Sequence, residues 1–275
     1  MTSVDRAVDV DKVLPALDEQ YDAIVALADG LGPEDWERPT ACPGWTVKDN
    51  VAHVIGTEAM LAGRPTPEVE LGDVSHVRND IGRFNEAWVE RYRPEPPAAV
   101  LDDLRGIIAE RRAALAAMSR ADFDADAMTP AGPATYGRFM RIRVMDMWMH
   151  EQDIREALGR PGHVAGRAPE QSLAEASSAL GFVVGKRVAP PRGTTMRIEL
   201  TGDLAGRIDI EVTDRARLVE AIEGSPTVAV ILPGDRFMRI AGGRLSDSDD
   251  SQRDVAYVGD ATLGGDFVTN LPFMI

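Results

Sequence analysis

From Val10 to Leu31 the apolar residues Val13, Leu14, Leu17, Tyr21, Ile24, Val25 and Ala28 recur at the spacing of one helix face. "GLGPEDW" ends that helix and opens a short helical turn. Cys42-Pro43-Gly44 cannot continue a helix, because Pro lacks a donor N–H and Gly is loose. Thr46 with Asp49 three residues on has the form of a capping box and predicts a second helix from about Thr46 to Leu61. "GRPTPE" breaks the chain, and a polar segment follows from Val69 to Arg93. Pro94, Pro96 and Pro97 precede a third long helix, Ala98 to Met118, with Leu101, Leu104, Ile108 and Leu115 on one side. "MTPAGPAT" reads as a loop. A fourth helix covers Tyr136 to Leu158 and stops at "GRPG". A further helix, Pro169 to Lys186, leads to the Pro-rich "APPRG" at Ala189 to Gly193, which is read as the domain boundary.

Beyond that break the period changes. "TMRIELTG" and "GRIDIEVTD" alternate apolar and polar residues about a short turn, the pattern of a hairpin. "DRARLVEAIEG" reads as helix, "PTVAVILPG" as a buried strand, "DRFMRIAGGR" as a helix ending at Gly242-Gly243, and "DVAYVG" as a strand before a C-terminal helix. The expectation is a mainly α domain over residues 1–188, then a smaller α+β domain over 194–275.

The 275 residues, 44% hydrophobic and 27% charged, suffice for two cored domains and argue against disorder. A net charge of -15 repels phosphate backbones, so nucleic acid is not an expected partner. The apolar runs are too short to span a bilayer. "MTSVDRAVDVDK" lacks the order of a signal peptide, and one cysteine forms no internal disulfide, so a cytoplasmic location is expected.

Chemistry concentrates in "RFMRIRVMDMWMHEQDIREALG". At about 100° per residue, Phe139, Arg143, Asp146, His150 and Asp153 form one stripe. Met140, Met147, Ile154 and Leu158 flank it on one side, and Ile142, Met145 and Met149 on the other. Arg141, Glu151, Gln152 and Arg155, with Trp148 among them, face away. A carboxylate and an imidazole in the middle of an apolar arc need compensation. Ion pairs at i, i+3 would supply it (Arg143 with Asp146, His150 with Asp153), and so would a metal held by Asp146 and His150, four residues apart. From this helix alone both readings stand.

On the second helix, Val47, Val51, Val54 and Ile55 define the core stripe, and His53 lies off its centre. Periodicity therefore reads His53 as a partly exposed or structural histidine. Cys42 could be a fourth ligand or a nucleophile but reads rather as packing, Trp45 and Trp148 read as packing, and His76 and His163 as surface residues. Arg143 and Asp153 serve equally as orienting groups for Asp146 and His150 or as ordinary ion-pair members.

Two motifs taken together go further. "W..PT.CPGWTVKDNVAHV", from Trp36 to Val54, resembles the N-terminal signature of the mycothiol-dependent maleylpyruvate isomerase family, within the wider DinB-like four-helix-bundle superfamily. "R..DMWMHEQDIREALGRPG", Arg143 to Gly162, is similar to that family's second signature. "GRL" at Gly243 and "GDATLGGDFVTNL" resemble parts of its sterol-carrier-like C-terminal domain. The resemblance implies a DinB-like bundle with a divalent metal, usually zinc, on a histidine of the second helix and a carboxylate plus histidine of the fourth. Carried over position by position, the ligands are His53, Asp146 and His150. The characterised isomerase has glutamate where this chain has the shorter Asp146. The resemblance also implies mycothiol as thiol co-substrate and an arginine of the C-terminal domain, matched here to Arg244.

The expected function is a metal-dependent enzyme using a low-molecular-weight thiol, with isomerisation or S-transfer on a small electrophile. A zinc-water hydrolase on the same ligands and a non-enzymatic small-ligand-binding or regulatory protein are the alternatives.

Overall fold

The computed structural model describes residues 8–245 and 250–274; the start of the segment read for signal-peptide order lies outside them. The chain divides into two compact units, Met1–His163 and Val164–Ile275.

In the first unit, α1 (Val10–Asp29), α2 (Val47–Leu61), α4 (Pro97–Ala116) and α6 (Tyr136–Ala157) form a four-helix bundle. α1 packs on α6, α6 on α2, α2 on α4 and α4 on α1, which closes the ring. α3 (Asp80–Tyr92) packs against α2. Within the polar Val69–Arg93 segment it begins behind an Asn79 cap. The expected capping box is present: Thr46 accepts from the Asp49 backbone N–H, and Asp49 accepts from that of Thr46. α5 (Arg120–Asp124) precedes a small hairpin, β1 (Asp126–Thr129) and β2 (Gly132–Thr135). This corrects the loop expected at "MTPAGPAT". Four-residue strands are too short for alternation to register, and the Thr129 hydroxyl, bonded to Gly132 O, ties the turn.

The second unit begins earlier than the Pro-rich break suggests. α7 (Arg167–Ser178), α8 (Leu180–Phe182) and the π-helical turns Val183–Val188 belong to it, although the sequence reading placed them in a domain ending at 188. The reason is packing: α7 lies on α9 (Gly234–Ala241) and α8 on β5 (Ala216–Val219). The five-stranded sheet runs β5-β4-β3-β6-β7, where β3 is Thr195–Thr201, β4 Gly206–Val212, β6 Val228–Pro233 and β7 Ala256–Gly259. Only the β3–β6 pair is parallel. Met196, Ile198, Leu200, Val228, Val230 and Leu232 are buried, as are Phe237 of α9 and Phe267 of α10 (Ala261–Asn270). The helix expected at "DRARLVEAIEG" is instead the edge strand β5, because Leu218 and Arg217 pair with Ile210 and Glu211 of β4. Fold class agrees with expectation: a mainly α bundle followed by a smaller α+β unit.

Candidate metal centre

α2 and α6 pack side by side and bring the three predicted donors together. His53 Nε2 lies 3.1 Å from Asp146 Oδ2, and His150 Nε2 lies 3.7 Å from Asp146 Oδ1. One ligand atom from each residue falls within 4.8 Å of the others. Both histidines are buried, and the Asp146 side chain keeps 31% of its surface exposed. The imidazoles meet edge to face at 4.5 Å, and the Trp45 ring lies tilted 5.3 Å from His53 and 5.7 Å from His150.

His53 is thus buried, against the partly exposed position that the stripe predicted. α2 is enclosed by α3, α4 and α6, and every residue from Val47 to Ala59 is buried, so this helix has no solvated face on which to leave a histidine. Trp148 and Glu151 are likewise buried rather than turned outward; the indole N–H donates to His163 O, and Glu151 accepts from Gln20. His163 and His76 are not plain surface residues. His163 Nδ1 is 2.7 Å from Glu151 and His76 Nε2 is 2.9 Å from buried Glu86. Trp45 donates to the same Glu86 oxygen at 2.6 Å, which fixes the indole beside the imidazoles.

Behind Asp146 is a buried ionic core that sequence reasoning did not find. Glu58, fully buried, accepts from Arg143 Nε and Arg111 Nε at 3.0 Å each and from the Tyr21 hydroxyl at 2.7 Å. Arg143 reaches onward to pair with Asp146 Oδ2. Burial works to raise the Asp146 carboxyl, but Arg143 and then the two histidines outweigh it and hold the group well below the usual carboxylate range. Burial pushes the His53 imidazole down, with Asp146 pulling the other way, so the ring is favoured in its neutral form. No sequence period marks Glu58, since i, i+3 reasoning covers only partners on one helix.

His150 has a second set of neighbours. Its Nδ1 lies 2.8 Å from Asn50 Oδ1, 3.3 Å from Asp153 Oδ2 and 3.8 Å from Cys42 Sγ. Cys42 is buried and donates its thiol to Asp153 Oδ2 at 3.1 Å; one ligand atom each of Cys42, His150 and Asp153 also falls within 4.8 Å of the others. Arg244 belongs to the second unit, where its Nη1 donates to Gly242 O at 2.7 Å.

The donors fit a divalent cation. Ligands about 2.1 Å from a tetrahedral zinc stand about 3.4 Å apart; here one ligand atom from each of the three residues lies within 4.8 Å of the others, and each histidine Nε2 lies 3.1 or 3.7 Å from one of the two Asp146 oxygens. The set offers an ionised carboxylate and a neutral imidazole in His53, beside a second imidazole whose Nε2 turns toward them. The arrangement could hold one ion on three protein donors.

Comparison with known proteins bears on the family and the fold. Two curated proteins of Mycobacterium tuberculosis, Uncharacterized protein Rv0036c of strain H37Rv and Uncharacterized protein MT0041 of strain CDC 1551, are each 28% identical over 151 residues. Those alignments cover 53% of this chain, and the chain spans about half the length (55%) of the curated relatives it matches. The crystal structure of the mycothiol-dependent maleylpyruvate isomerase superposes with a TM-score of 0.58 at 14% identity, over 91% of this chain and 93% of that one. A histidine-to-alanine mutant of a mycothiol-dependent maleylpyruvate isomerase gives 0.55 at 15% identity with the same coverage. At such identities these structures show shared fold. The model of the mycothiol maleylpyruvate isomerase N-terminal domain matches residues 17–155, half of the chain and the whole span that carries His53, Asp146 and His150, and the chain belongs to that family.

Proposed function

We propose that this protein is an enzyme that holds a divalent metal, zinc, on His53, Asp146 and His150 and uses mycothiol to isomerise, or to transfer sulfur to, a small electrophilic substrate. The observation that carries the reading is the convergence of two imidazoles and one carboxylate from α2 and α6 within 4.8 Å. A cation on three protein donors keeps a position open and lowers the pKa of a coordinated thiol, which supplies a nucleophile at neutral pH.

The chain's own residues then have separate tasks. His53 and His150 would supply nitrogen donors. Asp146 supplies the charge, kept ionised by Arg143. Glu58 divides the Arg143 charge between itself and Asp146. Trp45, locked by Glu86, covers the two rings and limits water beside them. A thiolate adding to an electrophilic double bond would form a C–S bond as the π bond opens and its electron pair moves to the acceptor end. Isomerisation follows when the resulting single bond rotates and the returning pair expels the thiolate; transfer follows when the adduct takes up a proton and departs with the C–S bond kept. Arg244, whose fork suits a carboxylate, enters the proposal as the residue that binds an acidic substrate.

Metal content per chain, in wild type and in His53→Ala and His150→Ala, tests the reading. One zinc in the wild type and none in either variant is expected, with activity that requires added thiol. Wild-type protein that takes up no metal after zinc addition would refute it, and activity independent of thiol would refute the mycothiol part.

A further inference from the structure

His150 has two ring nitrogens with different surroundings. Nε2 faces Asp146, while Nδ1 faces away from it toward Asn50, Asp153 and Cys42. The neutral ring carries one proton, and the position of that proton decides which nitrogen can donate a lone pair. Asn50 Oδ1 at 2.8 Å and Asp153 Oδ2 at 3.3 Å are both acceptors, so both call for the proton at Nδ1. Asn50 can turn only its oxygen to the ring, because its amide nitrogen already donates to Thr40 Oγ1 at 3.0 Å and to Thr46 O at 2.9 Å. Asp153 is 2% exposed and receives the Cys42 thiol on the same oxygen that meets the ring. His53 contrasts with this: its buried Nδ1 has no hydrogen-bond partner in the structure among the described residues.

We propose that Asn50 and Asp153, the latter steadied by the thiol of Cys42, are positioning residues that hold His150 as the Nδ1–H tautomer with its Nε2 lone pair aimed at Asp146 and His53. The chain's single cysteine is thereby a support of the carboxylate rather than a ligand or nucleophile. The two imidazoles differ in kind: His150 is the pre-set donor, and His53 is oriented from one nitrogen only. The ligand part of this inference rests on the metal reading above; the tautomer part does not.

The first experiment therefore uses the metal-free full-length protein. Long-range nitrogen–proton spectra of the histidine rings, at alkaline pH, should show His150 protonated at Nδ1 and bare at Nε2. A proton at Nε2 instead overturns the proposal whatever the metal does. The second experiment measures cobalt affinity by chelator competition, with folding checked by circular dichroism. Asp153→Asn should weaken binding about 10–100-fold. Cys42→Ala should weaken it less, and Cys42→Ser, which restores a donor to Asp153, should recover it. Affinity within about twofold of wild type in Asp153→Asn would overturn the positioning role. So would a thiolate-to-cobalt charge-transfer band that vanishes in Cys42→Ala, since Cys42 would then be a ligand. If the wild type binds no cobalt, the metal reading falls and the ring spectra alone decide the tautomer.

Discussion

Replacing Glu58 by Gln keeps the side chain's shape and removes its charge. Two guanidinium groups, each 2% exposed at the residue, then lose the carboxylate they share. Breaking a buried ion pair from one side costs about 3–5 kcal/mol, because the remaining charge stays buried without compensation. Here both cations keep something: Arg111 still reaches the Tyr136 hydroxyl at 3.0 Å, and Arg143 still pairs with Asp146. That places the loss near the lower end, about 3 kcal/mol. For a unit of 163 residues this corresponds to about 6–12 °C in Tm. Tryptophan fluorescence is the right assay, since Trp36, Trp45, Trp88 and Trp148 are the only tryptophans and all lie in the first unit. The same change should weaken zinc binding, because Arg143, left with Asp146 as its carboxylate partner among the described residues, competes harder with the cation for that group. A Tm within about 2 °C of wild type would refute the assigned role of Glu58, and an unchanged metal affinity would refute the link from Glu58 through Arg143 to Asp146.

A hydrogen bond to Glu151 raises the His163 imidazole above its ordinary value, with burial opposing. Its stabilising contribution is therefore complete below about pH 6.5 and fades as pH climbs through the raised value. The stability gap between wild type and His163→Gln, from denaturant titrations, should be larger at about pH 6 than at about pH 9; a gap that widens with pH would contradict this. Gly56→Ala places a Cβ 2.3 Å from Cγ of Trp88, so overpacking should outweigh the gain in helix propensity and lower stability by about 1–2 kcal/mol in the same fluorescence melt. Unchanged or higher stability would mean the indole yields freely. Arg244→Lys keeps the charge and loses the bidentate fork, and should raise KM for a carboxylate substrate with kcat little altered; an unchanged KM would remove Arg244 from the proposal.

The parts of the candidate centre that could be read in the chain are those that one helix carries by itself. Asp146 and His150 stand four residues apart in the middle of an apolar arc, and the arc is local information. His53 is different. A stripe argument assumes that a helix has one buried face, whereas α2 is surrounded by three helices and buried from Val47 to Ala59. Its position relative to a stripe therefore said nothing about exposure, and only the motif resemblance pointed to it. Asn50 and Glu58 sit on the same helix for the same reason and gave no periodic signal. Their partners, His150 on one side and Arg111 and Arg143 on the other, come from α6 and α4. β5 went wrong in the opposite direction. "ARLV" alone favours helix, but an open edge of β4 offers four residues a ladder, and pairing overrides propensity.

These failures share a physical origin that bears on the chemistry. A buried polar group in α2 must be satisfied, either locally, as Thr57 is by His53 O, or by a partner far away in sequence. Glu58 has Arg111, Arg143 and Tyr21, and Asn50 has His150, Thr40 and Thr46. The exceptions are informative. Among the described residues His53 Nδ1 and Arg143 Nη2 are buried without a hydrogen-bond partner, as is Trp88 Nε1 away from the site, and His53 and Arg143 both contact Asp146 Oδ2. A bundle evolved for packing alone would fill these positions with apolar side chains at lower cost. Beside an ionised carboxylate, His53 and Arg143 fit the metal centre proposed above, at a cost in stability that apolar side chains would avoid.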